Sequence, residues 1–266
     1  MAIPEAITSR DNRRLVNARK VRDGGIRDLI FVEGKRLVAE ALSAGLDIDE
    51  CLVAESFGES GLVDQITSKA PVFEVPEKLF KTIVDTTNPQ GIVVLAQRPK
   101  SGFLHRDDLP LDASPFVFLK DVNNPSNLGA ILRTAEAAGA GGVITSPNSA
   151  DAFSPKSLRA AMGSAFRLGI EQGITLSKAV EWARSRGIRV VGTDPENGID
   201  HSANDWSSPS LVVFGSEAHG LTSEELSMCD ASVRITIADR VESLNLAASA
   251  AVILFEARRQ ISTRGV

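Results

Sequence analysis

Five short runs rich in Val, Ile and Phe, separated by helical segments or loops, dominate the second half of this 266-residue chain. They read PFVFLKDV, GVITS, RVVGTD, LVVFGS and VRITI. In most of them the apolar residues are contiguous rather than alternating, so each strand must be covered on both faces. A sheet with helices on both faces is a parallel one, its strands joined by crossovers. The intervening helices are expected through Arg133, over 158–165 and 176–186, and from about Asn245 to Arg258. Neither an internal repeat nor a low-complexity tract interrupts the pattern.

The first hundred residues carry a different mixture. LIFVEGKRLVAEALSAG opens on an apolar stretch and continues with Leu37, Val38, Ala41 and Leu42 at helical spacing, stopped by Gly45. Strands at 50–54 and 72–75, helices at 61–68 and 77–84, and a TTNPQG turn into a buried strand at 92–96 complete a small α/β module. Between them, RPKSGFLHRDDLPLDASP mixes Pro, Gly, Ser and charge as linkers do. The expected boundaries are therefore a first domain at 1–100, a linker at 101–114 and a second domain at 115–266.

No apolar run reaches the roughly 18 residues needed to span a bilayer, and MAIPEAITSRDNRR has no signal-like apolar stretch. A soluble cytoplasmic protein with no membrane partner is expected. Cys51 and Cys229 stand far apart without metal-ligand spacing and read as buried thiols. The net charge of −5 is unevenly spread. Arg10, Arg13, Arg14, Arg19, Lys20, Arg22 and Arg27 crowd the first segment, with only Glu5, Asp11 and Asp23 among them. Such a locally basic head is either a solvated helical face or a contact for nucleic-acid phosphates.

Three separated patches carry the chemistry. In NPSNLGAILRTAEAAG (124–139), turn and cap residues lead into a helix whose free N-terminal amides suit an anion, with Arg133 about two turns in. In VVFGSEAHGL (212–221), glycines follow a strand, where a missing Cβ lets a ligand approach the backbone. It is not a dinucleotide fingerprint, because a glutamate stands where a second glycine would. In ITIADRVESLNLAASAAVILFE (235–256), a strand end passes through a loop into a helix rich in small residues, Ala247, Ala248, Ala250 and Ala251.

In order and spacing these patches resemble the three motifs of the SpoU (TrmH-like) RNA ribose 2′-O-methyltransferases of the SPOUT superfamily. The likeness runs from about Pro115 to Arg259. FVEGKRLVAEAL with NPQGIVVLA is similar to the small ribosomal-protein-like RNA-binding domain that precedes the catalytic domain in many of these proteins. The resemblance implies an α/β fold with a C-terminal parallel-sheet domain tied in a deep trefoil knot. It also implies S-adenosylmethionine (AdoMet) as methyl donor, an RNA substrate, a homodimer and no metal.

Carried over position by position, the resemblance puts AdoMet contacts on Gly215, Ile235 and Leu244, mainly through backbone. Glu217, Gly220, Ile237, Ser243 and Asn245 line or brace the same pocket. The implied catalytic set is Asn127, Arg133, Glu217, Ser243 and Asn245. His219 falls inside the second motif and is left out, as are His105 and His201. A guanidinium holds its proton to a pKa above about 12. Arg133 is therefore expected to bind a phosphate and steady the incipient alkoxide, with a role as base left open.

A ribosomal RNA substrate is expected because of the accessory domain, with transfer RNA and an antibiotic-resistance methylation of ribosomal RNA as alternatives. Two other classes compete. A noncatalytic RNA-binding module has no need of Asn127, Arg133, Glu217 and Asn245 together, and a small-molecule methyltransferase or nucleotide-binding enzyme explains the glycine turns but leaves the basic first domain without a purpose.

Overall fold

The computed structural model describes residues 7–100, 102–106, 109 and 115–263. They form two compact units: the chain up to Lys100 together with Phe153–Arg167, and the remainder.

In the first unit, α1 (Arg13–Arg22) precedes β1 (Leu29–Glu33), α2 (Lys35–Ser43), β2 (Ile48–Ala54), α3 (Ser60–Thr67), β3 (Val72–Val75), α4 (Glu77–Phe80) and β4 (Ile92–Gln97). The sheet runs β1-β4-β2-β3, antiparallel except for β2 with β3. Leu15, Phe31, Leu52, Phe73, Phe80 and Ile83 form its core. The buried carboxylate of Glu33, at the end of β1, accepts hydrogen bonds from the amides of Asp85 (2.8 Å) and Thr86 (3.3 Å) and from the Thr86 hydroxyl. A buried carboxylate is tolerable only when bonded in this way.

Three of the seven cations in the head are structural. Arg14 pairs with Glu50 at 2.6 Å and lies over the Phe73 ring at 3.5 Å. Arg19 donates to the Arg10 carbonyl and to Thr82 Oγ1. Arg22 donates to the carbonyls of Thr82, Ile83 and Val84, closing the turn after α4, and pairs with Asp23. Among the described residues, the side chains of Arg10, Arg13, Lys20 and Arg27 have no hydrogen bond or ion pair. Of the locally basic head, those four cations keep free donors.

The helix expected at 158–165 is two: α6 (Pro155–Ala161) and α7 (Ser164–Arg167), broken where Met162 adopts φ 51°. Both belong to the first unit although they stand far down the chain. Arg159 pairs with Asp85 and Arg167 with Glu40, each at 2.6 Å, which ties this excursion to the module.

The second unit starts with a short 3₁₀ turn at Phe103–His105. There follow β5 (Phe116–Leu119), α5 (Pro125–Ala137) and β6 (Gly142–Thr145). After the excursion come β7 (Ile170–Gln172), α8 (Leu176–Ser185), β8 (Arg189–Thr193) and β9 (Ile199–Asp200). The chain ends with β10 (Ser210–Phe214), α9 (Ser223–Ser227), β11 (Ala231–Arg234) and α10 (Leu246–Thr263). The strand order is β7-β6-β5-β10-β8-β11-β9, and every pairing is parallel. The α/β reading with a parallel sheet therefore holds, and the two edge strands β7 and β9 and the helix α9 are additions to it.

Phe103 lies inside the stretch whose composition reads as linker, yet it is buried in the second core. Its ring stacks on Phe116 at 6.0 Å and meets Trp182 edge-on at 5.7 Å. The rest of that stretch, at 101, 107, 108 and 110–114, lies outside the described residues. Phe103→Ala should lower the stability of the protein by about 3–5 kcal/mol in denaturant unfolding, the usual cost of emptying a buried aromatic site. A change within error would show that Phe103 is not part of this core.

Candidate active site

In an open parallel sheet, ligands bind beyond the carboxyl ends of the strands where the strand order reverses. Here the chain runs outward from β5 through β6 to β7, then restarts on the other side at β8. Much later it fills the gap between β5 and β8 with β10. The loops after β5, β10 and β11 hold all three sequence patches.

After β5 the chain turns sharply. Asp121 adopts φ 49°, held by Ser146 Oγ, which accepts from the Asp121 amide and donates to its carboxylate, both at 2.8 Å. Asn124 then caps α5, its side-chain oxygen accepting from the Ser126 amide at 2.9 Å, with Pro125 at the first helical position, where no N–H is needed. Lys120 Nζ reaches Glu225 at 2.6 Å. Glu225 also closes a capping box with Thr222 at the start of α9. Burial pushes the Glu225 carboxyl up, but its bonds from Lys120 and Thr222 bring it below its ordinary value. Sequence reasoning missed this pair, although the T-x-x-E spacing was a visible cap signal.

The loop after β10 closes on itself. Ser216 and Gly220 exchange both backbone hydrogen bonds, at 3.1 and 3.0 Å, so residues 217–219 project outward. Gly220 is left-handed, with φ 62°. A Cβ on Gly215 would stand 2.2 Å from the Gly220 carbonyl carbon and 2.5 Å from the Leu221 nitrogen. The glycine is thus required by the loop's own backbone, a tighter reason than the approach of a ligand.

The third patch departs from the expected strand. β11 stops at Arg234, so Ile235, Thr236 and Ile237 lie beyond the ladder. From Ile235 to Leu244 the backbone makes one internal hydrogen bond among the described residues, Val241 N–H to the Ala238 carbonyl at 2.9 Å. Asn245 then starts α10, its side-chain oxygen accepting from the Ala247 amide at 2.9 Å.

Three of the expected catalytic residues meet. The Asn127 amide donates to the Glu217 carboxylate, and its oxygen accepts from Asn245 Nδ2 at 3.4 Å. Asn127 thereby links the first turn of α5 to the loop after β10 and to the start of α10. Its amide orientation follows from that network, since the flipped form would face Glu217 with an oxygen. Arg133 and Ser243 are exposed and, among the described residues, have no hydrogen-bond or ionic partner. The structure does not join them to the Asn127 network. Among the described residues the backbone polar groups of Ile235, Ile237 and Leu244 have no backbone partner, and with half-exposed Ile and Leu side chains beside them they suit a ligand that is part apolar ring and part zwitterion.

The cysteines take no part in this. Burial pushes the Cys51 thiol up to about 12 and that of Cys229 up to about 11, so neither is a ready nucleophile.

The model of the SpoU rRNA methylase family matches residues 114–255. The chain belongs to that family. Residues 13–94 match the MRM3-like substrate binding domain, so the resemblance drawn from the motifs is borne out in both halves. One relative is the 23S rRNA (guanosine(2553)-2′-O)-methyltransferase RlmP of Bacillus subtilis, 28% identical over 86% of this chain and 88% of that protein. Another is the 23S rRNA (uridine(2479)-2′-O)-methyltransferase of Streptomyces viridochromogenes, 32% identical over 70% of this chain and 66% of that one. Among solved structures, the AdoMet-bound rRNA methyltransferase of Sinorhizobium meliloti is 32% identical, covers 97% of this chain and 98% of its own, and gives a TM-score of 0.85.

The Gly215 geometry is open to a direct check. Gly215→Ala should open the Ser216–Gly220 loop, lower stability by about 1–3 kcal/mol as overpacking does, and weaken AdoMet binding in calorimetry. Parental stability and affinity together would mean that the loop tolerates the methyl group and that the close approach is not a constraint.

Proposed function

We propose that this protein methylates a ribose 2′-hydroxyl of ribosomal RNA in the cytoplasm, with the loops after β5, β10 and β11 forming the reaction site. As an AdoMet-dependent RNA 2′-O-methyltransferase, it draws its methyl group from the sulfonium centre of AdoMet when that is bound. The observation that carries the placement is the Asn245–Asn127–Glu217 chain of hydrogen bonds, which gathers all three motifs at the reversal of strand order.

The residues divide the work. Gly215, Gly220, Ile235, Ile237 and Leu244 line the cofactor pocket, with Glu217 and Ser243 at its edge. Asn127, Glu217 and Asn245 fix the loops relative to one another, and positioning of this kind supplies much of the rate of a two-reactant displacement. Arg133 presents an unspent guanidinium to the RNA. It binds the phosphate next to the target ribose and stabilises negative charge as it grows on the 2′-oxygen, keeping its own proton while the hydroxyl proton is released to solvent water. The Ser243 hydroxyl is available to the same oxygen. The first domain, residues 1–100, supplies RNA contacts through Arg10, Arg13, Lys20 and Arg27. The second domain, taken as residues 115–266, threads its C-terminal strands through earlier chain as a trefoil knot. Support for the knot comes from β10 and β11, which enter between strands already placed, and from α10, which packs back on α5.

The reaction is tested with an RNA whose methylated nucleotide has been mapped by comparing cells with and without the gene. Replacing that one sugar by 2′-deoxyribose should abolish transfer from labelled AdoMet while RNA binding survives, because phosphate contacts dominate affinity. Arg133→Ala on the unmodified RNA should cut transfer by about a hundredfold or more with AdoMet affinity kept. Label entering the deoxy RNA would move the methyl group to a base, and normal turnover of the variant would remove Arg133 from the site.

The same enzyme works as a homodimer. Supporting this, Ala248, Val252, Phe255 and Arg259 share one exposed face of α10, with Val252 39% and Phe255 48% exposed. Apolar residues at such spacing are what a second helix covers. Light scattering should give twice the chain mass for the parent and the single-chain mass for Phe255→Glu. A parent that is monomeric and active would defeat the dimer.

A further inference from the structure

The segment between β8 and β9, together with β9 itself, forms a brace on the end of β11, and no part of the reading above uses it. Asp194 anchors the brace: its carboxylate accepts from the amides of Glu196 (3.0 Å) and Asn197 (3.1 Å), its carbonyl accepts from Gly198 N–H (3.1 Å), and its own amide donates to Val233 O (2.9 Å). Gly198 lies so near β11 that a Cβ would stand 2.5 Å from the Val233 carbonyl carbon and 2.8 Å from Arg234 N. The Arg234 guanidinium donates to Glu196 O at 3.3 Å, and its carbonyl accepts from His201 N–H at 2.8 Å.

Up to Arg234 the brace therefore holds β11 by backbone. At the next two residues the ladder has ended, and one side-chain contact replaces it. The Thr236 hydroxyl donates to Asp200 Oδ2 at 2.6 Å. The other oxygen, Oδ1, accepts from the Ser202 hydroxyl at 2.5 Å and the Ser202 amide at 2.9 Å. Three donors hold Asp200 ionised, well below the usual carboxylate range, with Ser202 first and Thr236 second. The carboxylate is thus fixed at one oxygen by Ser202 and offers the other to the loop.

We propose that Asp200 and Thr236 form a positioning pair for the cofactor: their hydrogen bond sets the path of the backbone from Ile235 to Ile237 and so the affinity for AdoMet. This rests on the placement of Ile235 and Ile237 in the AdoMet pocket. Thr236 touches no reacting atom; it acts through its two neighbours. The residues before it are set by a strand ladder and those after Asn245 by α10, whereas Ile235–Leu244 has one internal backbone bond among the described residues. A binding loop that lacks its own hydrogen bonds must have its conformation selected from outside, and each unselected conformation lowers the fraction competent to bind.

The test is calorimetric titration of the full-length protein with AdoMet. Thr236→Val, which keeps the shape and removes the hydroxyl, should weaken binding about three- to tenfold, less than the full worth of a hydrogen bond to a charged group because Thr236 is exposed to water. Stoichiometry should stay at the parental value, and the unliganded variant should be as fully folded as the parent by circular dichroism at the titration temperature, so that general unfolding is not the cause of the lost affinity. Thr236→Ser, which restores the donor, should recover most of the affinity. Asp200→Ala should weaken binding to the same degree, and the double variant Asp200→Ala/Thr236→Val should be no weaker than either single one. Parental affinity in Thr236→Val, failure of the serine to rescue, or additive losses in the double variant would each overturn the pairing. The backbone amide NMR signals of Ile235 and Ile237 separate this from the pocket assignment: shifts on adding AdoMet beside a parental Thr236→Val remove only the pair, whereas unmoved signals and parental affinity together remove the segment from the pocket.

Discussion

The position of β10 governs the second unit. Every residue from Ser210 to Gly215 is buried, and the strand pairs on one side with β5 and on the other with β8. Its register puts Phe214 beside Leu119 and Val213 beside Gly192. In a parallel sheet the chain leaves all strands at the same edge, so that register delivers the loops after β5 and β10 side by side. The Ser216–Gly220 closure and the Lys120–Glu225 pair then follow as short-range consequences. A slip of one residue would turn every side chain of β10 to the opposite face and move Glu217 away from Asn127.

How far the chain could be read without coordinates depended on how local each signal was. The contiguous apolar runs marked β5, β6, β8 and β10 because a strand buried on both faces needs nothing else to be recognised. The turn and cap residues at Asn124 and Pro125 likewise placed the start of α5. What was illegible depended on partners far away in sequence. Ile235 alternates with Val233 as strand residues do, yet β11 ends at Arg234 because β9 offers it only two residues to pair with. Phe103 sat among Pro, Gly and charge, and neighbours distant in sequence, Phe116, Gly142, Gly169 and Trp182, make it a core residue. Met162 gave no sign of breaking a helix, since its left-handed φ is imposed by its surroundings rather than by its type.

The basic head teaches the same lesson about charge. Seven cations in a short stretch suggest an electrostatic surface, but a guanidinium has five donors and a flat apolar face, so it also serves as a structural clamp. Arg14 spends its face on Phe73 and its donors on Glu50. Arg22 spends its donors on three carbonyls that the end of α4 leaves unpaired. A guanidinium fixed in this way cannot also follow a flexible phosphate backbone. Net charge and local charge density therefore overstate what such a head offers to RNA, and the count that matters is of cations with free donors.

That distinction between spent and unspent hydrogen-bonding capacity also sorts the residues proposed for the active site. Asn127 gives a donor to Glu217 and its acceptor to Asn245, and Asn245 gives its own acceptor to the amide of Ala247. Groups so committed can hold loops together but have little left with which to meet a substrate. Arg133, Ser243 and, apart from the Val241–Ala238 bond, the backbone of the loop after β11 are the reverse: exposed or partly so, and without such partners among the described residues. Exposed polar groups lose little by staying unpaired in water, so folding alone gives no reason to tie them down. A site that must take up two reactants needs both kinds, a rigid frame whose bonds are complete and a set of donors and acceptors left open within it. The three sequence patches each contribute one of the two kinds or both, which is why no single patch would have identified the site.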